Sequence, residues 1–163
     1  MLVNPAVAVA ALAFGASLPQ AFGPTIAVSN VPRPAPGCTA EATKGLVEKF
    51  ARNYSSGRVA VIVRLWAPEP RFQWFSTGPP GARLGGRAYD HATLAAYFRK
   101  RVRLHERIQI VQVAAGYDSA RNIVHFAGKL VRSADDLRPT PPHDFKGAAD
   151  CVSGKPSLIV WSM

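Results

Sequence analysis

The segment Asp90–Glu106, DHATLAAYFRKRVRLHE, is the one around which the rest of the chain is organised. At about 100° per residue, Leu94, Tyr97, Phe98, Arg101 and His105 fall in one narrow sector. Arg99, Lys100, Arg103 and Arg107 fall on the opposite side. The pattern predicts one amphipathic helix, capped by Asp90, with two polar residues inside its apolar stripe. A globular helix keeps its charges off the buried face, so Arg101 and His105 are the anomaly on which function turns. His105 is the candidate catalytic acid or base, because imidazole titrates nearest neutrality. Arg101, one turn away, has the fork of donors that holds a carboxylate, enolate or phenolate. A structural alternative stays open: Arg101 pairs with Asp144, Asp150 or Glu48, and His105 bonds a strand carbonyl.

Upstream of this helix, Thr43, Leu46, Val47, Phe50, Ala51 and Tyr54 recur at three- and four-residue steps after a start at Thr39, predicting a first helix that stops at Gly57. Arg58–Trp66, RVAVIVRLW, has the β-branched run of a strand and the length of a short helix. In RFQWFST, residues 71–77, Phe72, Trp74 and Ser76 share one strand face and Gln73 and Phe75 the other. GPPGARLGG, 78–86, is a turn-rich loop. Downstream, strands are expected over Ile108–Tyr117, Ile123–Arg132, His143–Val152 and Ser157–Ser162. The first two are joined by a hairpin turn at Asp118–Asn122. His125 alternates with Ile123, Ala127 and Lys129, a face that ends in charge and so faces outward. Helices followed by a run of strands argue an α+β class, with the sheet curling around the third helix to leave a cone.

The N-terminus reads differently. Met1–Gly23 holds an apolar run, Ala6–Phe14, shorter than the ~20 residues of a spanning helix, which is the pattern of a secretory signal peptide. An uncleaved anchor is the alternative. Residues 24–38 carry Pro24, Pro32, Pro34 and Pro36 and form an extended linker. That leaves 39–163 as the domain, of an exported or extracytoplasmic protein. The 163 residues carry 20 Lys and Arg against 10 Asp and Glu, a formal charge of +10. Such a surface admits weak contact with anionic partners, but no basic repeat interleaved with aromatics points to nucleic acid. The four His and two Cys have no metal-ligand spacing, and no cofactor is implied. In an exported chain Cys38 and Cys151 are expected to form a disulfide.

FARNYSSGRVAVIVRLWAPEPRFQWFS (50–76) and GGRAYDHATLAAYFRKRVRLHERIQI (85–110), followed by four strands, resemble the nuclear transport factor 2-like superfamily, in its ketosteroid isomerase and polyketide cyclase-like (SnoaL-like) branch. The resemblance covers Thr39–Ser162. It implies a cone-shaped fold of three helices on a curved, mostly antiparallel sheet, and it favours a short second helix over 58–66. It also implies a ligand cavity in the cone; Tyr54, Trp66, Phe72, Trp74 and Tyr97 would wall it and Arg101 and His105 anchor the ligand, with plain core packing of the aromatic rings as the alternative. Ketosteroid isomerases use an Asp base with Tyr and protonated Asp donors. This chain departs from that set: no Asp stands on the expected strand face, and Tyr54 matches only loosely.

The reading that follows is a protein holding a small, partly apolar molecule. One alternative is a cyclase- or isomerase-type enzyme with His105 as acid/base and Arg101 as oxyanion anchor. The other is a non-catalytic domain forming a homodimer through its outer sheet face.

Overall fold

Thr39 starts the first element as its pattern predicts: its side chain accepts a hydrogen bond from the Ala42 amide at 3.0 Å. The computed structural model describes residues 37–76, 86–151 and 154–163. The leader-like 1–23, the linker as far as residue 36 and residues 77–85 of the turn-rich loop lie outside the described residues. No helix among those described is long and apolar enough to cross a membrane.

Helix α1 spans Ala40–Ser55 and buries Leu46, Val47, Phe50, Ala51 and Tyr54. It ends where Gly57 takes a left-handed conformation, φ 69°. A side chain there would also crowd Val102, 3.1 Å from the Cβ position. The β-branched run that follows is helix α2, Val59–Val63, with Ile62 buried. Tertiary packing overrides its strand propensity. Strand β1 is Gln73–Ser76, and Phe72, Trp74 and Ser76 face inward, as alternation predicts. Gly86, read as loop, instead opens a short strand, β2, Gly86–Ala88, antiparallel to β1.

Helix α3 is His91–Arg103, capped by Asp90, whose carboxylate accepts from the Thr93 amide at 2.7 Å. It stops before the expected end at Glu106. The His105 amide donates to the Val102 carbonyl at 3.0 Å and the Glu106 amide to that of Arg101 at 3.1 Å, with His105 at φ 50°. This pair of bonds around a left-handed residue is a Schellman closure, usually made by glycine. The reversal turns His105 out to solvent and Glu106 into the core, so helical phase no longer holds at either.

Strands β3 (Arg107–Asp118), β4 (Ile123–Ser133), β5 (His143–Asp150) and β6 (Ser157–Ser162) complete a six-stranded sheet in the order β2-β1-β6-β5-β4-β3. Only the β1–β6 pair is parallel. The fold is therefore α+β, with three helices on a curved, mostly antiparallel sheet. Strand β3 is an edge, and the Ser55 hydroxyl closes part of it by accepting from the Ile108 amide at 2.9 Å and donating to its carbonyl at 3.0 Å. Such a cap hinders edge-to-edge pairing.

The core is aromatic. Phe50 meets Trp161 at 4.5 Å between ring centroids, Trp74 meets Phe98 at 5.2 Å, and Phe145 stacks on Trp161 at 5.4 Å. Cys38 and Cys151 form the disulfide, with Cα atoms 5.6 Å apart. It ties the residue before Thr39, the cap of α1, to the residue after β5, beside Val124.

Candidate functional site

Alternation along β4 sends Val124, Phe126, Leu130 and Arg132 inward, and Arg132 is fully buried. A buried guanidinium requires an anion. Glu106, turned inward by the closure of α3, supplies it: Arg132 Nε donates to Glu106 Oε1 at 2.8 Å, with Nη2 2.6 Å from the same oxygen. The other carboxylate oxygen accepts from Nε of Arg101. Arg101 in turn donates through both terminal nitrogens to Asp136, at 2.8 and 2.9 Å. The four side chains form a line of alternating charge, Asp136, Arg101, Glu106, Arg132, that starts at the surface and ends in the core. Burial opposes the charge on Arg101, but hydrogen bonds to Asp136 and Glu106 outweigh it and raise its pKa. The same hydrogen bonds from Arg101 hold the Asp136 carboxyl below its ordinary value.

The inner end of the line is not closed. Among the described residues Arg132 Nη1 and the indole nitrogen of Trp74 have no hydrogen-bond partner, whereas the Tyr54 hydroxyl interacts with the Glu106 carboxylate and that of Tyr97 with Ser76. Burial first, then the Glu106 carboxylate, pushes the Tyr54 hydroxyl well above the ordinary tyrosine value. Burial also raises Tyr97, while Arg132 acts on both rings in the opposite sense. Glu106 and Tyr54 lie at the inner side of a cleft of about 430 Å³, where the ends of α1 and α3 meet the start of β3. Val102, His105 and Arg107 complete its wall.

The structure thus brings some of the expected residues together and separates others. Tyr54 and His105 share the cleft. Arg101 is buried at 3% exposure with its donors engaged by Glu106 and Asp136, while His105 is exposed and bonded to Asp135 at 2.8 Å. The two therefore do not meet as a pair of free polar anchors. Nor are Arg101's partners the three acids weighed from sequence: Asp144 pairs with Lys129, Asp150 with Arg71 and Glu48 with Arg52. Trp66 packs on Phe72 at 5.4 Å and Trp74 on Tyr97 at 5.7 Å, all within the aromatic core. His125 points outward beside Asp118, as alternation predicts.

Glu106, Arg132, Asp136 and Ser76 were not singled out from sequence as site residues. For Arg132 a signal existed: it stands in the inward parity of β4, after Val124, Phe126 and Leu130. Asp136 offered none, since it lies in a loop 35 residues from Arg101.

No family model matches this sequence, and no curated protein sequence matches it. Solved structures do. A nuclear transport factor 2-like protein with a cystatin-like fold from Novosphingobium aromaticivorans is similar over 75% of this chain and 78% of its own, with TM-score 0.57 and 10% identity. The proposed β subunit of an aromatic-ring-hydroxylating dioxygenase from the same organism is similar over 76% and 86%, with TM-score 0.56 and 11% identity. A proposed calcium/calmodulin-dependent protein kinase II association domain from Xanthomonas campestris is similar over 80% and 94%, with TM-score 0.57 and 11% identity. The chain has the nuclear transport factor 2-like, cystatin-like fold. At such identities the likeness is one of fold alone, and fold does not fix activity.

Proposed function

We propose that this chain is a binding domain that holds a small, partly apolar molecule within the sheet, with an acceptor oxygen of the ligand turned toward Arg132, Tyr54 and Tyr97. One observation carries this reading: Arg132 is fully buried, and among the described residues its Nη1 has no hydrogen-bond partner. A buried donor left without an acceptor costs about 1–3 kcal/mol, so a fully buried guanidinium nitrogen in that state argues for an occupant with an oxygen to offer. The surrounding rings suit an apolar body. In this reading Arg132 takes the anchoring role that the sequence suggested for Arg101. The test is a thermal-shift screen of aryl and alkyl carboxylates, phenols and ketones. Binders should raise the unfolding temperature of the parent and lose that effect in Tyr54→Phe and Tyr97→Phe, which keep the rings. A flat response across the screen would sink the proposal.

A second reading is an interaction domain that pairs through the outer sheet face. That face presents Ala114, Gly116, Ala127 and Val160 around a shallow depression of about 520 Å³. Small side chains permit a flat, close approach by a second sheet. The similarity to a proposed subunit and a proposed association domain supports assembly of this kind. Light scattering of the parent beside Ala127→Arg tests it: a dimer that the variant converts to monomer supports pairing, and a parent monomer overturns it. Export remains part of the proposal, supported by the leader-like Met1–Gly23 and by a disulfide suited to an oxidising compartment.

A further inference from the structure

A second buried nitrogen without a partner lies on the same wall as Arg132. His143 opens β5 and pairs with Leu130 of β4. It shares its strand face with Phe145, which is buried, while Asp144 and Lys146 face outward. Arg132 follows Leu130 by two residues on the inward face of β4. The two side chains are therefore diagonal neighbours across the strands, roughly 7–8 Å apart in the backbone and within reach of each other for long side chains. Nε and Nη2 of Arg132 both lie against Glu106 Oε1, so the planar fork holds Nη1 on the side away from that carboxylate. Glu106 leads into β3, and β5 flanks β4 on the opposite side.

The tautomer of His143 follows from its other ring nitrogen. Nδ1 lies 3.3 Å from the Pro141 carbonyl, which can only accept. It also lies 3.2 Å from the Thr140 hydroxyl, which already accepts from the Arg132 amide at 3.0 Å. A proton on Nδ1 suits both oxygens, whereas a lone pair there would face the carbonyl. In a neutral imidazole that proton leaves Nε2 as an acceptor. Nε2 is buried, and among the described residues it has no hydrogen-bond partner. Arg132 thus offers a donor that lacks an acceptor, and His143 an acceptor that lacks a donor.

We infer, resting on the binding reading, that one hydroxyl group of the ligand fills both roles: its oxygen accepts from Arg132 Nη1 and its O–H donates to His143 Nε2. A carboxylate would set another lone pair against Nε2, and a ketone or ether has no proton to give it, so each leaves a buried acceptor unpaired. Phe145, the next inward residue after His143, stacks on Trp161, and such a wall suits an aromatic body. The ligand class is therefore a phenol.

The test is calorimetric titration of the full chain with para-propylphenol, its methyl ether, para-propylbenzoate and para-propylacetophenone, which share one body. The phenol should bind at least about tenfold more tightly than the other three. His143→Phe, which keeps a ring in place, should erase that preference. Nitrogen NMR of the imidazoles in the ligand-free parent should show His143 protonated on Nδ1 alone, a readout that needs neither ligand nor variant. A protonated Nε2, a hydroxyl-free compound from this set or the thermal-shift screen that binds as tightly as the phenol, or an undiminished preference in His143→Phe would overturn the hydroxyl assignment and leave the binding reading standing. A flat response to every compound would sink both.

Discussion

Arg132 Nε donates to Glu106 Oε1 at 2.8 Å between two side chains that are both fully buried. Glu106 is the hinge of the interior electrostatics, because its second oxygen serves Arg101. Removing one partner from a buried ion pair costs about 3–5 kcal/mol. Glu106→Gln is expected to lose about that much in denaturant unfolding, since it leaves the buried Arg132 without its anion while Arg101 keeps Asp136. Lys129→Ala, which breaks the exposed pair with Asp144, should cost no more than about 1 kcal/mol by the same measurement.

His105 occupies the left-handed position that closes α3, with φ 50°. A non-glycine residue pays roughly 1 kcal/mol there, offset in part by the bond to Asp135. His105→Gly is therefore expected to be more stable than His105→Ala by about 1 kcal/mol, the reverse of their order inside a helix. Chemical unfolding of the two variants decides it.

Stability should carry an acid limb owed to Asp136 and an alkaline one owed to Tyr54. Arg101 holds the Asp136 pKa low in the folded protein, so this contribution is complete above the ordinary carboxylate range near ~4. It is lost as pH falls through the depressed folded value. Burial holds the Tyr54 pKa high. Its contribution is complete below ~10, the ordinary tyrosine value, and is lost as pH rises toward the raised folded value. Unfolding curves taken across pH should show Asp136→Asn flattening the first limb and Tyr54→Phe the second.

The Cys38–Cys151 bridge spans a sequence separation of 113 residues. In the chain-entropy account a loop of that size is worth nearly 5 kcal/mol, and removal of a native bridge typically costs about 2–5. Reduction, or Cys38→Ala/Cys151→Ala, should lower the unfolding temperature sharply. An unchanged temperature would show that the packing of α1 on the sheet suffices without it.

What was legible in the sequence was what local chemistry encodes. Thr39 and Asp90 announce helix starts because their side chains cap amides three residues on. The parity of β4 separates His125 from Phe126 without any tertiary knowledge. Residues 58–66 were legible only through the resemblance, since β-branched residues alone leave helix and strand open. Strand β2 was not legible: three residues at the edge of a glycine-rich loop carry no periodicity. His105 was misplaced because the end of α3 has no glycine to mark it, and one left-handed residue moves every later side chain out of helical phase. The partner of Arg101 could not be found by spacing, since Asp136 comes to it from a loop beyond two strands.

At the inner end of the ion-pair line, Arg132 Nη1 is proposed to receive a ligand oxygen. A high-resolution crystal structure of the full chain, soaked with the strongest carboxylate or phenol from the thermal-shift screen, tests it most directly. A ligand oxygen is expected about 2.7–3.1 Å from Arg132 Nη1, with the Tyr54 or Tyr97 hydroxyl as a second partner and the ligand's apolar part against the aromatic core. A ligand bound elsewhere, with Arg132 Nη1 satisfied by protein or by water alone, would contradict it.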